Sequence, residues 1–358
     1  MRIIAIAGMI DAKLESKILP LQELSSVSRI YLVRRKKYCG KKIFCYSPPF
    51  KNIFTAEIYR FITLFYLCLF RRPDMIIAFG TVMHGIYAYI ASKIFNLFCV
   101  QLVLGKNDLG TSIKKRHFAQ PILFHVIKSG DAIIVRGENT RNILTNGGIP
   151  GSKIGIIPNL FDFSLFKKDE TIEKKYDLVY TGILEEYKRI DLLLHIVALL
   201  KKDNPDISLA VAGDGSQKNS ILKLIIKLEL QENVFLLGTL SQKNISLVLN
   251  QSKIFVMTSQ GEGLPMAMLE AMSCGLPVLV PDDADIPTHI MNGENGYLIK
   301  IGDIHGYTEK INLLLQDSSL YHRISLTAVN AMRLKEKEYS LENLKNAWQE
   351  VLALSCKD

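Results

Sequence analysis

Two periods of apolar spacing alternate along this chain. Short aliphatic runs such as Ile3-Ile4-Ala5-Ile6, Met75-Ile76-Ile77-Ala78 and Val278-Leu279-Val280 are bounded by glycine or polar residues and predict buried strands. Between them, apolar residues recur every three or four positions, which predicts amphipathic helices. In the first half, strands are expected at 2–7, 29–33, 43–46, 75–79, 100–104 and 132–135, and helices at 14–24, 55–70, 84–97 and 118–128. In the second, strands are expected near 177–181, 207–212, 233–237, 253–257, 278–280 and 297–299. Helices alternate with them at 189–201, 217–228, 243–249, 265–274, 306–316 and 319–332, and a last one at 340–354 carries the only tryptophan, Trp348. Strictly alternating strands and helices imply parallel sheets covered on both faces. Asp162 to Lys175 is polar and reads as a linker between the two halves.

Two apolar stretches resemble membrane spans, and neither is expected to span. Phe61 to Phe70 is bounded by Arg60 and Arg71-Arg72, and its ten residues are about half of the ~20 needed to cross a bilayer. Ile86 to Leu104 contains Lys93, Asn96 and Gln101 and divides into a helix and a strand. The first stretch is either a core helix under the sheet or a helix lying among lipid headgroups between basic anchors. The N-terminal run Met1 to Gly8 is too short for a secretory h-region and reads as a first strand closing in a glycine turn.

Composition narrows the class. At 358 residues, 48% apolar and 22% charged, the chain has material for two ordinary globular cores. Its six cysteines, at 39, 45, 68, 99, 274 and 356, form no Cys-x-x-Cys pair, so neither a disulfide framework nor a zinc site is indicated, and reduced thiols in the cytoplasm are expected. Charge is uneven: residues 1–160 carry a net +15 and residues 161–358 a net −6. Basic clusters stand at Arg34-Arg35-Lys36-Lys37, Lys41-Lys42, Arg71-Arg72 and Lys114-Lys115-Arg116. Either the first half faces an anionic membrane surface or it presents a solvated basic face. No nucleic-acid motif accompanies the charge, so nucleic acid is not expected as a partner.

The densest chemistry lies in Gly261-Glu262-Gly263-Leu264-Pro265-Met266-Ala267-Met268-Leu269-Glu270-Ala271-Met272-Ser273-Cys274-Gly275-Leu276-Pro277. Pro265 suits a first helical turn, good helix formers follow, and Gly275 and Pro277 end them. The helix N-terminus, with unpaired N–H groups, therefore follows Glu262 directly and offers an anion site. Glu270 lies ~7–8 Å further along the axis at 1.5 Å per residue. A carboxylate, an anion site and a second carboxylate in line suit a ligand with hydroxyls at both ends and phosphates between, as in a nucleotide sugar.

These residues resemble the acidic signature of retaining glycosyltransferases of the GT-B fold, family 4, in which two glutamates stand eight positions apart. The likeness extends through Pro158-Asn159, Val179-Tyr180-Thr181-Gly182-Ile183-Leu184, Lys188-Arg189-Ile190-Asp191, Ala212-Gly213-Asp214-Gly215, Val234 to Gly238, Ile254 to Ser259 and Asn295-Gly296-Tyr297-Leu298, from about residue 130 to 300. It implies two Rossmann-like α/β/α domains facing a central cleft: an acceptor-binding domain at 1–160, a donor-binding domain at 161–338, and a C-terminal helix at 339–358 crossing back to the first. It also implies a transferase moving a sugar from a nucleoside-diphosphate sugar to an acceptor hydroxyl. With the basic first half, a lipid-linked glycan at the inner face of the cytoplasmic membrane is the expected acceptor, in surface polysaccharide assembly such as lipopolysaccharide or capsule.

The resemblance assigns Lys188 to the leaving phosphate and Glu262 to the hydroxyls of the transferred sugar, the two expected catalytic residues. Glu270 is assigned to the ribose, with Gly182, Gly213, Gly215, Gly263, Leu264, Pro265 and Leu269 lining the donor, Thr239 and Leu240 near the base, and Gly8 near the phosphates. No metal and no cofactor is implied, the nucleotide sugar being a co-substrate. Two departures stand out. Ile183 occupies the position where family members often carry an arginine, with Arg189 as a conceivable substitute. The strand at 100–104 is followed by Gly105-Lys106-Asn107-Asp108 where many members have a histidine; Lys106 or Asp108 is available there, and His84, His117 and His125 lie elsewhere. Rival readings are a nucleotide-sugar epimerase of related architecture, which lacks reason for the Glu262/Glu270 pair, and a non-catalytic nucleotide-binding or scaffold homologue.

Overall fold

A computed structural model describes residues 1–8, 11–50, 52–103, 120–283 and 285–355. The chain divides into two compact units, one of 1–161 with 337–358 and one of 162–336. Lys106, Asp108, His117 and the cluster at 114–116 lie outside the described residues, as do position 104 of the expected strand and the first two residues of the helix expected at 118–128.

In unit 1 the strands are β1 (Arg2–Ala7), β2 (Arg29–Val33), β3 (Ile43–Tyr46), β4 (Met75–Phe79), β5 (Phe98–Leu102), β6 (Ala132–Val135) and β7 (Ile154–Ile156). The helices are α1 (Asp11–Glu23), α2 (Ile53–Arg71), α3 (Ile86–Phe95), α4 (Gln120–Lys128) and α5 (Glu138–Asn146). All seven strands are parallel, in the order β3-β2-β1-β4-β5-β6-β7. Unit 2 holds β8 (Tyr176–Thr181), α6 (Ile190–Asp203), β9 (Leu209–Ala212), α7 (Lys218–Lys227), β10 (Val234–Gly238), α8 (Gln242–Asn250), β11 (Ser252–Val256), α9 (Met266–Ser273), β12 (Val278–Pro281), β13 (Tyr297–Ile299), α10 (Ile304–Gln316) and α11 (Ser318–Leu334). Its six parallel strands run β10-β9-β8-β11-β12-β13. Both sheets thus have the doubly wound order, which reverses once, between β1 and β4 in unit 1 and between β8 and β11 in unit 2.

The expected alternation of elements is present, with ends shifted by a few residues. Among the α-helices and strands of the described residues, α5 and β7 are additional, and β7 has only three residues to signal it. The segment 162–175 is a strap on unit 2 rather than a free linker. Asn250 takes Asp169 N–H at 2.9 Å and donates to Lys167 O at 3.1 Å, Ser246 donates to Leu165 O at 2.7 Å, and Lys174 Nζ donates to Asn250 O and Ser252 O, each at 2.8 Å. The last helix, α12 (Leu341–Leu354), belongs to unit 1. It buries Leu344, Trp348, Val351 and Leu352 in one cluster with Leu14 and Ile18 of α1 and the strand residues Ile3 and Ile77.

Helix α2 has nineteen residues against the sixteen expected at 55–70, and Asn52 sets its start by accepting from Phe54 N–H at 2.8 Å and Thr55 N–H at 3.4 Å. Length and composition alone would let it cross a bilayer. Its inner face is instead packed in the fold: Leu64, Leu67 and Cys68 sit against Ile4, Ile6, Ile76 and Ala78 of the sheet. The outer face is apolar as well. Phe54, Ile58, Ile62, Tyr66 and Phe70 follow one another at four-residue intervals and are all exposed, Phe54 by 74% and Phe70 by 64%. The inner face is thus that of a core helix under the sheet, and the outer face is left exposed and apolar.

Trp348 is the largest side chain that α12 contributes to unit 1, and it is 1% exposed. Trp348→Ala should cost ~3–5 kcal/mol through lost burial and the cavity left behind. Chemical denaturation of the full chain checks this; a loss below ~1 kcal/mol would mean that α12 is only peripherally attached.

Candidate active site

Strands β8 and β11 are neighbours whose onward connections leave in opposite directions, so their C-terminal loops part and leave a crevice, the usual ligand position in such sheets. The β8 loop begins at Gly182 (φ +154°) and runs beside Gly213 (φ +156°), which follows β9. Gly182 N–H donates to Ala212 O at 2.9 Å, Leu184 N–H to Asp214 O at 3.0 Å, and Gly213 N–H to Gly238 O at 2.8 Å. A Cβ on Gly213 would fall 1.8 Å from Gly182 O, and one on Gly215 2.4 Å from Leu184 O. Glycine is needed here so that the main chains themselves can touch.

The chain then makes a single 3₁₀ turn, Glu186–Lys188, closed by Arg189 in the left-handed region (φ 53°) before α6 begins. The β11 loop is laced to this turn. Gln260 N–H donates to Tyr187 O at 2.8 Å and Thr258 Oγ1 to Arg189 O at 2.8 Å. The lacing brings Lys188 and Glu262 together. Lys188 is buried, 7% exposed, and its ammonium donates to Glu262 Oε1 as an ion pair while lying 5.3 Å from the centre of the Tyr187 ring. Burial and the charge of Glu262 push the phenols of Tyr180 and Tyr187 up, so both remain protonated donors. Arg189 points elsewhere and grips Asp191 with three contacts of 3.0–3.3 Å. Ile183 contributes its carbonyl, which accepts from Tyr180 Oη at 3.1 Å.

Pro265 is the N-cap of α9 rather than its first helical residue (φ −77°, ψ 118°), and its side chain offers no capping bond. The helix start thus presents backbone N–H groups and the positive end of its dipole just after Glu262 and Gly263. Asp283 steadies the approach by accepting from Gly261 N–H at 2.6 Å. Glu270 is half-buried on α9, whereas Leu264 and Leu269 have their side chains in the interior. Thr239 is exposed and Leu240 half-buried beyond β10. Two hydroxyls escaped sequence reasoning. Thr181 Oγ1, at the end of β8, and Ser259 Oγ, after β11, are buried and find no hydrogen-bond partner among the described residues. A polar residue at or just after the end of each of two adjacent buried strands was the available signal.

Gly8 lies in unit 1, directly after β1. A Cβ there would sit 2.5 Å from His84 Cε1. His84 Nε2 meets Arg60 Nη2, and buried Arg60 also donates to Ala7 O at 2.8 Å and to Glu57 Oε1 at 2.6 Å. The loops following β1 and β4 are thereby tied together at that sheet's own reversal point. No sequence spacing links Gly8, Arg60 and His84, so this cluster was not legible beforehand. Among the described residues, no group of three or more His, Cys, Asp or Glu is arranged to hold a metal ion.

Residues 162–330 match the family model "Glycosyl transferases group 1". The second unit belongs to that family. The N-acetyl-alpha-D-glucosaminyl L-malate synthase of Bacillus anthracis is 29% identical over 49% of this chain and 48% of its own length. The amylovoran biosynthesis glycosyltransferase AmsD of Erwinia amylovora is 25% identical over 78% of each. The chain spans about half the length of the first curated relatives it matches. Among solved structures, HepE of Anabaena in complex with UDP and glucose superposes with a TM-score of 0.80 at 16% identity, covering 99% of both chains. The two α/β units are those of the GT-B fold.

Folding keeps two imidazoles neutral. His84 is held down to about 3 by burial and then Arg60, and His289 to about 4 by burial and then Lys335, against a backbone bond with Asp285. Unfolded histidine titrates near 6.5, so below that pH the unfolded chain binds more protons and stability falls as pH falls toward 4. The slope is at most ~1.4 kcal/mol per pH unit for each imidazole. His84→Asn should flatten the decline between pH 6.5 and 4.5 by about one histidine's share in urea titrations. An unchanged slope would place His84 in water.

Proposed function

We propose that the chain is a retaining glycosyltransferase that moves a sugar from a nucleoside-diphosphate sugar to an acceptor hydroxyl. The observation that carries this reading is the buried Lys188–Glu262 pair at the β8–β11 reversal, beside the N-terminus of α9. Breaking the bond from the anomeric carbon to the diphosphate leaves negative charge on phosphate. Lys188 and the helix start supply fixed positive charge for it, and in many such sites this electrostatic stabilisation accounts for most of the rate enhancement. Glu262 accepts hydroxyls of the transferred sugar, and Glu270 those of the ribose. Gly182, Gly213, Gly215 and Gly263 let main chain approach the donor, and Thr239 and Leu240 border the base. The acceptor oxygen bonds to the anomeric carbon on the face the diphosphate leaves, and its proton passes to the departing phosphate oxygen. The reading requires neither metal nor cofactor. AmsD, named for amylovoran biosynthesis, supports a polysaccharide product.

The same reading places the acceptor on a lipid at the inner face of the cytoplasmic membrane. Residues 1–160 carry a net +15, and the exposed outer face of α2 ends at exposed Arg71 and Arg72. Arg35, Lys36 and Lys37 are exposed too, whereas Arg34 is buried and stacks on Tyr38. An apolar helix face with basic neighbours suits a negatively charged lipid surface.

Exchange of Lys188 for Met should lower turnover ~10²–10³-fold with a smaller change in donor affinity, since the charge it meets grows in the transition state. Glu270→Ala should instead weaken nucleotide binding. Arg189→Ala should leave both near normal, because Arg189 is committed to Asp191. Calorimetry and steady-state assays on the folded variants separate the three. Normal turnover in Lys188→Met would remove Lys188 from the leaving-group role.

In flotation assays, the protein should prefer vesicles containing phosphatidylglycerol over neutral ones, and salt should weaken binding. Arg71→Gln and Arg72→Gln should each cost roughly fivefold in affinity. Equal binding to neutral vesicles would remove the membrane while leaving the transferase reading in place.

A further inference from the structure

The N-terminal half of α2 forms one wall of an open groove of about 800 Å³, completed by Met83 and Tyr87. Ile53, Phe54, Ile58 and Phe61 make its lining almost wholly apolar. The polar exceptions are Asn52, the helix cap, and Glu57. Glu57 is bonded through Oε1 to Arg60, which is 1% exposed. The remaining polar atoms of this pair, Glu57 Oε2 and Arg60 Nε, are buried and have no hydrogen-bond partner among the described residues. Tyr87, on the opposite wall, has its phenol pushed up by burial and by Glu57. A volume of several hundred Å³, apolar walls and a few fixed polar groups are the marks of a small-molecule site. Glu57 is the charged residue that lines the groove, with Arg60 buried behind it, and a long apolar wall ending in a carboxylate selects an amphiphile: hydrocarbon chain along the wall, hydroxyl-bearing head at Glu57.

We propose that this groove binds the hydrocarbon chain of a single amphiphilic acceptor and holds its polar head at Glu57. The proposal rests on the reading of the acceptor as lipid-linked and names where in unit 1 its chain lies. A path from a membrane is already present. The exposed stripe of α2 continues from the groove through Ile62, Tyr66 and Phe70 to Arg71 and Arg72, so an amphiphile reaches the groove along one continuous apolar face. The head is delivered to Glu57, whose buried partner Arg60 also holds the carbonyl of Ala7 and the ring of His84. Bilayer contact uses the whole stripe, whereas the groove uses only its first two turns, and this difference makes the two separable.

The test uses the full chain and n-alkyl β-D-glucosides from hexyl to decyl, each below its critical micelle concentration, with affinity read by calorimetry. Burial of each methylene should raise affinity about fourfold until the groove is filled. Phe54→Ser and Ile58→Ser lie at exposed positions on the wall and should flatten this dependence. Phe70→Ser, at the far end of the stripe, should not. Glu57→Gln should weaken all chain lengths by a common factor, and because it also removes the charge partner of buried Arg60, urea denaturation of the same variant checks that the fold is kept. An affinity independent of chain length, or equal losses from Phe54→Ser and Phe70→Ser, would overturn the groove. Nucleotide binding is titrated in the same samples. Intact nucleotide binding without chain dependence sinks the groove alone, whereas chain dependence without nucleotide binding sinks the donor reading and leaves the groove standing.

Discussion

The reversal of strand order in each sheet is the constraint on which the sites depend. Parallel strands need right-handed crossovers, so a sheet that grows first to one side and then to the other has one position where successive connections cover opposite faces. In unit 2 that position lies between β8 and β11. Lys188 and Glu262 are 74 residues apart in sequence, and the reversal makes them neighbours. The glycine contacts at 182, 213 and 215 and the lacing through Gln260 and Thr258 then narrow the arrangement from neighbouring loops to a defined ion pair.

A buried ion pair is a poor way to gain stability, since desolvating two charges costs about as much as their attraction returns. Its value lies in position. Lys188 is the terminal residue of a one-turn helix and would otherwise be a long side chain sampling many rotamers; Glu262 fixes it before any ligand arrives. Burial first, and then the same carboxylate, push the phenols of Tyr180 and Tyr187 up, so a part-buried anion sits beside two phenols. On the proposed reading, a diphosphate and a sugar hydroxyl take over the two halves of this pair, and the reorganisation required is small because the dipoles are already aimed.

Much of this was legible in the sequence, for a physical reason. Strands covered on both faces become continuous apolar runs, and Ile3 to Ala7 or Val278 to Val280 can be read without ambiguity. The α9 region was legible because Pro265 and Gly275 punctuate it. What escaped was short or held by side chains. β7 offers only Ile154-Gly155-Ile156, and α5 is polar over most of its length. The strap at 162–175 looked like a linker because its order comes from Asn250 and Ser246, some eighty residues away, and not from any period of its own. Burial of Lys188 was likewise invisible, since a lysine at a helix start normally reads as solvated.

Arg60 shows the same logic in unit 1. It sits on the inner face of α2, one turn from Ala56 and Leu64, where an apolar residue would satisfy the helical pattern. A leucine there would pack without desolvating a guanidinium, so stability does not account for the arginine. Its bonds do. One side chain reaches the carbonyl that ends β1, the ring of His84 beyond β4 and the carboxylate of Glu57 on its own helix. Those three points are the two loops of the unit's reversal position and the polar end of its apolar groove. A residue that is costly to bury and joins only these features is a positioning device: it sets the Gly8 turn and the groove in one fixed relation, as the Lys188–Glu262 pair does for the two loops of the other unit.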